Sequence, residues 1–158
     1  MPEPVDAQSI AELFDRHAAA LTLYARQWTT TPDDCVQEAF IELARQAASP
    51  DNPAAWLYRV VRNRSLNAAR SARRRSAHEH TAAGEHRFSG AASAARIELV
   101  DLLARLDDTS REIVVLRAWG GLSWQEIAEL AGGSKSSAQR TYVQALEQLR
   151  RLGEPNHV

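Results

Sequence analysis

Cysteine is nearly missing from this chain of 158 residues: Cys35 stands alone among seven glycines, three phenylalanines and three tyrosines. A lone cysteine excludes an internal disulfide framework and fits a reducing compartment. Few aromatics and glycines beside abundant Ala, Leu and Arg favour helices over strands. No apolar run approaches the roughly 20 residues a membrane span takes. The opening MPEPVDAQSIAE also lacks the basic-then-apolar pattern of a secretion signal, so the expected location is cytoplasmic. Net charge is almost absent too, at −1. With 44% apolar and 25% charged residues, the chain reads as ordinary globular protein, one medium domain or two small ones.

The near-neutral total hides a sharp asymmetry. Residues 1–50 hold three basic and eight acidic side chains, whereas residues 51–78 hold seven basic and one acidic. All seven of those cations fall between Arg59 and Arg75, a stretch without any acid. Two oppositely charged surfaces imply two different partners.

Capping chemistry marks four helix starts. Thr31-Pro32-Asp33-Asp34 offers a hydroxyl N-cap, a proline at the first helical position and acids in the first turn. Asn52-Pro53 repeats the device. Thr109–Glu112 and Ser123–Glu126 match the capping box. Between these starts the apolar period is helical: Val36, Phe40 and Leu43; Trp56, Val60, Val61 and Leu66; Leu99, Leu102, Leu103 and Leu106. Residues 77–95 lose the period and turn small and polar, the composition of a linker. The expected architecture is all-α: two helical modules, 5–76 and 96–152, joined by a flexible linker over 77–95.

The segment GLSWQEIAELAGGSKSSAQRTYVQALEQLR has the layout of a helix-turn-helix. Ile127 and Ala128 turn inward on a capped first helix, Gly132 supplies the left-handed break, and Ser134 caps the second helix. Ala138, Tyr142 and either Ala145 or Leu146 then face the core. Lys135, Ser136, Gln139, Arg140 and Val143 face out, where a second helix would enter a major groove. Gln reads adenine and Arg reads guanine through paired hydrogen bonds. Two cations neutralise few phosphates, so this module alone should bind a duplex weakly.

DDCVQEAFIELAR followed by NPAAWLYRVVRNRSLNAAR resembles region 2 of the bacterial sigma-70 family, and LDDTSREIVVLRAWGGLSWQEIAELAGGS resembles region 4. The order and spacing are similar to the short extracytoplasmic-function (ECF) type, which keeps a region 2 bundle, a linker and a region 4 helix-turn-helix. The resemblance implies an initiation factor that binds core RNA polymerase and directs it to the −35 and −10 promoter elements. Asp34, Gln37, Glu38 and Glu42 fall where the family docks on polymerase; Asp34, Glu38 and Glu42 also follow an i, i+4 ladder. Arg59, Arg62, Asn63, Arg64, Asn67, Arg70 and Arg73 fall where it meets the −10 element. Lys135, Ser136, Ser137, Gln139, Arg140, Val143 and Gln144 fall where it reads the −35 element. It implies no cofactor, no metal and no catalytic chemistry of the chain's own. Core RNA polymerase, promoter DNA and an anti-sigma factor are the implied partners.

Two other classes compete. A stand-alone helix-turn-helix regulator would bind its DNA without polymerase. A small metal-dependent nuclease would use His78, His80 and His86 with Glu79 and Glu85, but a linker without cysteine gives such ligands no fixed geometry. Trp56 could stack on a base, although its place in the apolar stripe favours packing, as for Trp28, Trp119 and Trp124. Cys35 reads as filler rather than a redox switch.

Overall fold

The computed structural model describes residues 2–78 and 94–154, with side chains over 2–76 and 98–154. Among these residues there are seven α-helices and no strand. The chain divides into two compact units, Met1–Glu85 and His86–Val158. The first holds α1 (Ala7–Ala25), α2 (Pro32–Ala44) and α3 (Pro53–His78); the second holds α4 (Ala94–Ala104), α5 (Asp108–Val114), α6 (Trp124–Ala131) and α7 (Lys135–Gly153). Helix reaches into the expected linker from both sides, through His78 and from Ala94, while residues 79–93, with His80, His86 and both glutamates, lie outside the described residues.

Helix α1 is a start that the sequence reading passed over. Asp6 caps it by accepting from the Ser9 amide at 2.7 Å, and Leu21, Tyr24 and Ala25 bury its inner face. The three helices pack on one another in every pairing, enclosing Val36, Ala39, Phe40, Leu43, Leu57, Tyr58 and Val61. The Val, Leu and Phe side chains among them each contribute about 1.5–3 kcal/mol of burial. The buried face of α3 is rotated from the expected Trp56–Val60 stripe: Leu57, Tyr58, Val61 and Ser65 are fully buried, with Trp56, Val60 and Leu66 at the margins. The cause is that α3 meets both α1 and α2 and so buries two adjacent rows instead of one.

Caps follow the expected chemistry with two exceptions. Asn52 Oδ1 accepts from the Ala55 amide at 3.2 Å. Thr31 stands at the N-cap of α2 but makes no side-chain cap bond; its hydroxyl lies 3.2 Å from that of Thr29 instead. Helix α5 starts earlier than the Thr109 capping box proposed, because the extended Asp107 carboxylate takes the Ser110 amide at 2.8 Å. Arg111 then reaches back over the end of α4, donating to the carbonyls of Leu103 at 2.9 Å and Leu106 at 2.7 Å. One guanidinium thus satisfies the open C-terminus of α4 and fixes it to α5.

A π-helical turn, Val115–Trp119, continues α5. Arg117 leaves it to donate to the Leu122 carbonyl at 2.9 Å and to cover the Trp124 ring at 4.5 Å. Trp124 meets Tyr142 edge-on at 5.3 Å. Leu103, Leu106, Ile113–Leu116, Leu122, Ile127, Ala138 and Ala145 form the second core.

Candidate functional site

The acidic face lies on α2. The inner positions Cys35, Val36, Ala39, Phe40 and Leu43 are buried, which leaves Asp34, Gln37 and Glu38 exposed and Glu42 half-buried. Ile41, 51% exposed, sits among them, an apolar side chain the sequence reading did not single out. Its signal was available, since position 41 falls outside the Val36–Phe40–Leu43 stripe. Phe14 of α1 is also 45% exposed, its ring edge-on to Phe40 at 5.1 Å.

Arg64 of α3 closes on this face. Its Nη1 donates to Glu38 Oε2 at 2.9 Å, and its Nη2 and Nε to Glu42 Oε2 at 2.8 and 3.3 Å. The hydrogen bonds to Glu42 raise the guanidinium pKa further. Beneath the pair lies buried Cys35, whose thiol is pushed up by burial and so held protonated. Arg64 therefore joins the two residue sets that the sequence kept apart, acids for one partner and cations for another.

The remaining α3 residues split by helical position. Arg59, Asn63, Asn67, Arg70 and Arg74 recur at intervals of three or four and are exposed, and Arg73 and Arg75 are exposed beside them. Arg62 turns the other way, its guanidinium 5.6 Å from the Trp28 ring, while Trp28 meets Tyr24 edge-on at 4.9 Å. Trp56 and Trp28 are half-buried and Tyr58 fully buried, so Tyr58 offers no stacking platform, and the Trp28 ring is already covered by Arg62.

In the second unit α6 and α7 form the helix-turn-helix. Ser123 and Glu126 complete a capping box at 3.1 and 3.0 Å. Gly132 and Gly133 have φ of 89° and 87°, backbone that side chains resist. A Cβ on Gly133 would also come within 2.8 Å of Ser137 Oγ. Ser137 completes the cap of α7: its amide donates to Ser134 Oγ at 3.1 Å, and its hydroxyl accepts from the Ser134 amide at 2.9 Å. The structure thus gives Ser137 a capping duty beside its expected place at the DNA face. Lys135, Ser136, Gln139, Arg140, Val143 and Gln144 are exposed. Ala145 is buried and Leu146 is 41% exposed, which decides between the two core candidates. Trp119, expected as packing, is 38% exposed.

Among the described residues, no group of three His, Cys, Asp or Glu could hold a metal ion. No described helix is long and apolar enough to cross a membrane.

Residues 13–75 match the family model of sigma-70 region 2, and residues 96–149 that of sigma-70 region 4. The RNA polymerase sigma factor CnrH of Cupriavidus metallidurans is 31% identical over 152 residues, covering 84% of this chain and 80% of that protein. The ECF RNA polymerase sigma factor SigL of Mycobacterium tuberculosis is 30% identical over 158 residues, covering 89% of this chain and 88% of that one. Among solved structures, CnrH in complex with the cytosolic domain of CnrY superposes with a TM-score of 0.62 at 28% identity, over 93% of this chain and 88% of that one.

Proposed function

The chain belongs to the sigma-70 family, in its extracytoplasmic-function group, and from that membership we propose how its parts divide the work of starting transcription. It is an initiation factor that directs core RNA polymerase to promoters. Region 2 docks on polymerase through Asp34, Gln37, Glu38 and Glu42, with Ile41 as an apolar anchor inside an acidic rim. Arg59, Asn63, Asn67, Arg70 and Arg73 track the −10 strand, and Arg62 braces the helix from its Trp28 side. Region 4 reads the −35 element with Lys135, Ser136, Gln139, Arg140, Val143 and Gln144. Ser137 sets the entry angle of α7 as its cap.

The observation that carries this reading is the exposed row of cations on α3, one helix away from an acidic face, in a protein of net charge −1. One surface suits a basic protein partner and the other suits phosphate. Each contact set is small, and holding both on polymerase raises their effective concentration at a promoter. The protein works in the cytoplasm, without catalytic chemistry of its own. Its control comes from a protein partner of the anti-sigma kind, in keeping with the capture of CnrH by the cytosolic domain of CnrY.

Gel filtration of the chain with core RNA polymerase, without DNA, tests the reading. Stoichiometric co-elution is expected, and Glu38→Lys should abolish it. A chain that ignored polymerase yet shifted a promoter duplex by itself would instead be a stand-alone regulator.

A further inference from the structure

We propose that Arg64 is an internal stand-in for polymerase: Glu38 and Glu42 hold its guanidinium away from promoter DNA in the free chain, and polymerase cations that take those carboxylates release it to the strand. The inference rests on the docking reading above for its second half and on geometry alone for its first.

Position makes one residue available to both faces. At 100° per residue, Arg64 lies about 60° around α3 from Asn67 and so borders the exposed Arg59–Asn63–Asn67–Arg70 row. Its long stem lets the head group swing to either side. In the free chain that head is committed to three hydrogen bonds with two carboxylates. The commitment is reversible, because the side chains are 37%, 55% and 39% exposed for Arg64, Glu38 and Glu42. An ion pair open to solvent at all three side chains is one that an incoming cation can exchange.

The local charge changes sign in the exchange. Two carboxylates and one guanidinium sum to −1, a spot that repels phosphate. Once partner cations neutralise both carboxylates, Arg64 contributes +1 at the edge of the basic row. Strand capture is thereby made conditional on docking, through one side chain and with no movement of the backbone.

The test is a mutant cycle on the intact free chain, read by fluorescence anisotropy with a labelled single-stranded oligo(dT) 20-mer across a salt series. Glu38→Gln with Glu42→Gln should bind the probe several-fold to about tenfold tighter, with the salt dependence steeper by about 0.7, the mark of one added phosphate contact. In an Arg64→Gln background the same two changes should give little gain. Arg64→Met repeats the cycle with most of the aliphatic stem kept, separating lost charge from lost packing. An equal gain with and without Arg64 would mean that the acids act only by repulsion, and the proposal would fall. No gain in either background would overturn it equally.

Co-elution of Glu38→Gln/Glu42→Gln with core polymerase separates the two readings. Loss of co-elution with an intact cycle is the expected pair of results. Retained co-elution with an intact cycle would remove the docking reading, and with it the release step, while a lost cycle with abolished co-elution would remove the Arg64 restraint alone.

Discussion

Helices α3 and α7 are both proposed to meet promoter DNA, yet they are equipped in opposite ways. The exposed side of α3 carries Arg59, Arg70, Arg73, Arg74 and Arg75. The outward face of α7 over its first ten residues carries just two cations, Lys135 and Arg140, and exposes Val143 at 62%, with Leu146 beyond it at 41%. Charge grips any sequence, whereas amide and apolar groups at base edges discriminate between sequences. The difference teaches that charge is concentrated on one unit and uncharged polar and apolar surface on the other, which under the proposed function separates grip from discrimination. On the proposed assignment, region 2 should supply most of the salt-dependent hold, and region 4 should spend its few contacts on reading.

The strongest way to break this contrast is to remove equal kinds of charge from each helix. Arg59→Gln, Arg70→Gln and Arg73→Gln together should lower promoter opening by the complete holoenzyme on the order of 10²-fold and flatten its salt dependence by about 2. Lys135→Gln with Arg140→Gln should cost about tenfold or less. Comparable losses from both sets, measured by permanganate footprinting across a salt series, would erase the proposed division.

The units should also separate in stability. Arg111→Ala removes charge-assisted bonds to the α4 terminus, worth roughly 1.5–3 kcal/mol, and should speed hydrogen exchange in α4–α7 while leaving α1–α3 unchanged. Faster exchange in both units would show that they fold as one. A cap loss is smaller again: Ser134→Ala should cost about 1 kcal/mol, and it should weaken −35 binding through the start of α7, without touching −10 opening.

The smallest expected effect is pH-dependent. His17 is buried in the first unit, and burial, helped by Arg16, holds its pKa below the ordinary 6.5. The unfolded chain therefore takes up the proton first. The contribution to stability is complete above about 6.5 and is lost as pH falls through the depressed folded value. The described part of the second unit has no histidine. Hydrogen exchange at pH 7.5 and 5.5 should show α1–α3 weakening relative to α4–α7, and His17→Gln should remove that difference.

Local chemistry was legible in the sequence. The Ser123–Glu126 box, the Gly132 break, the Ser134 cap and the outward residues Lys135, Ser136, Gln139, Arg140 and Val143 need only neighbours a few positions away, and the structure has all of them. The Asp107 start was hidden because two consecutive aspartates precede Thr109, and backbone conformation decides which of three short polar residues caps. The face of α3 was misjudged for a tertiary reason, since its buried rows depend on where α1 and α2 lie. Arg64 could not be paired from sequence at all. Its partners are 22 and 26 residues away, and nothing in a basic run shows that folding brings α2 beside it.

The length of α3 carries a last consequence. Fourteen residues separate Arg59 from Arg73, about 21 Å along a straight helix axis. At about 3.4 Å per stacked nucleotide, that distance measures close to six steps of a strand. Because the helix is continuous from Pro53 to His78, the backbone positions that carry these cations keep fixed intervals, and on the proposed −10 strand α3 would act as a ruler. If α3 tracks the −10 strand as proposed, a promoter strand lengthened or shortened by one nucleotide within that span should meet the arginines out of phase and bind less well.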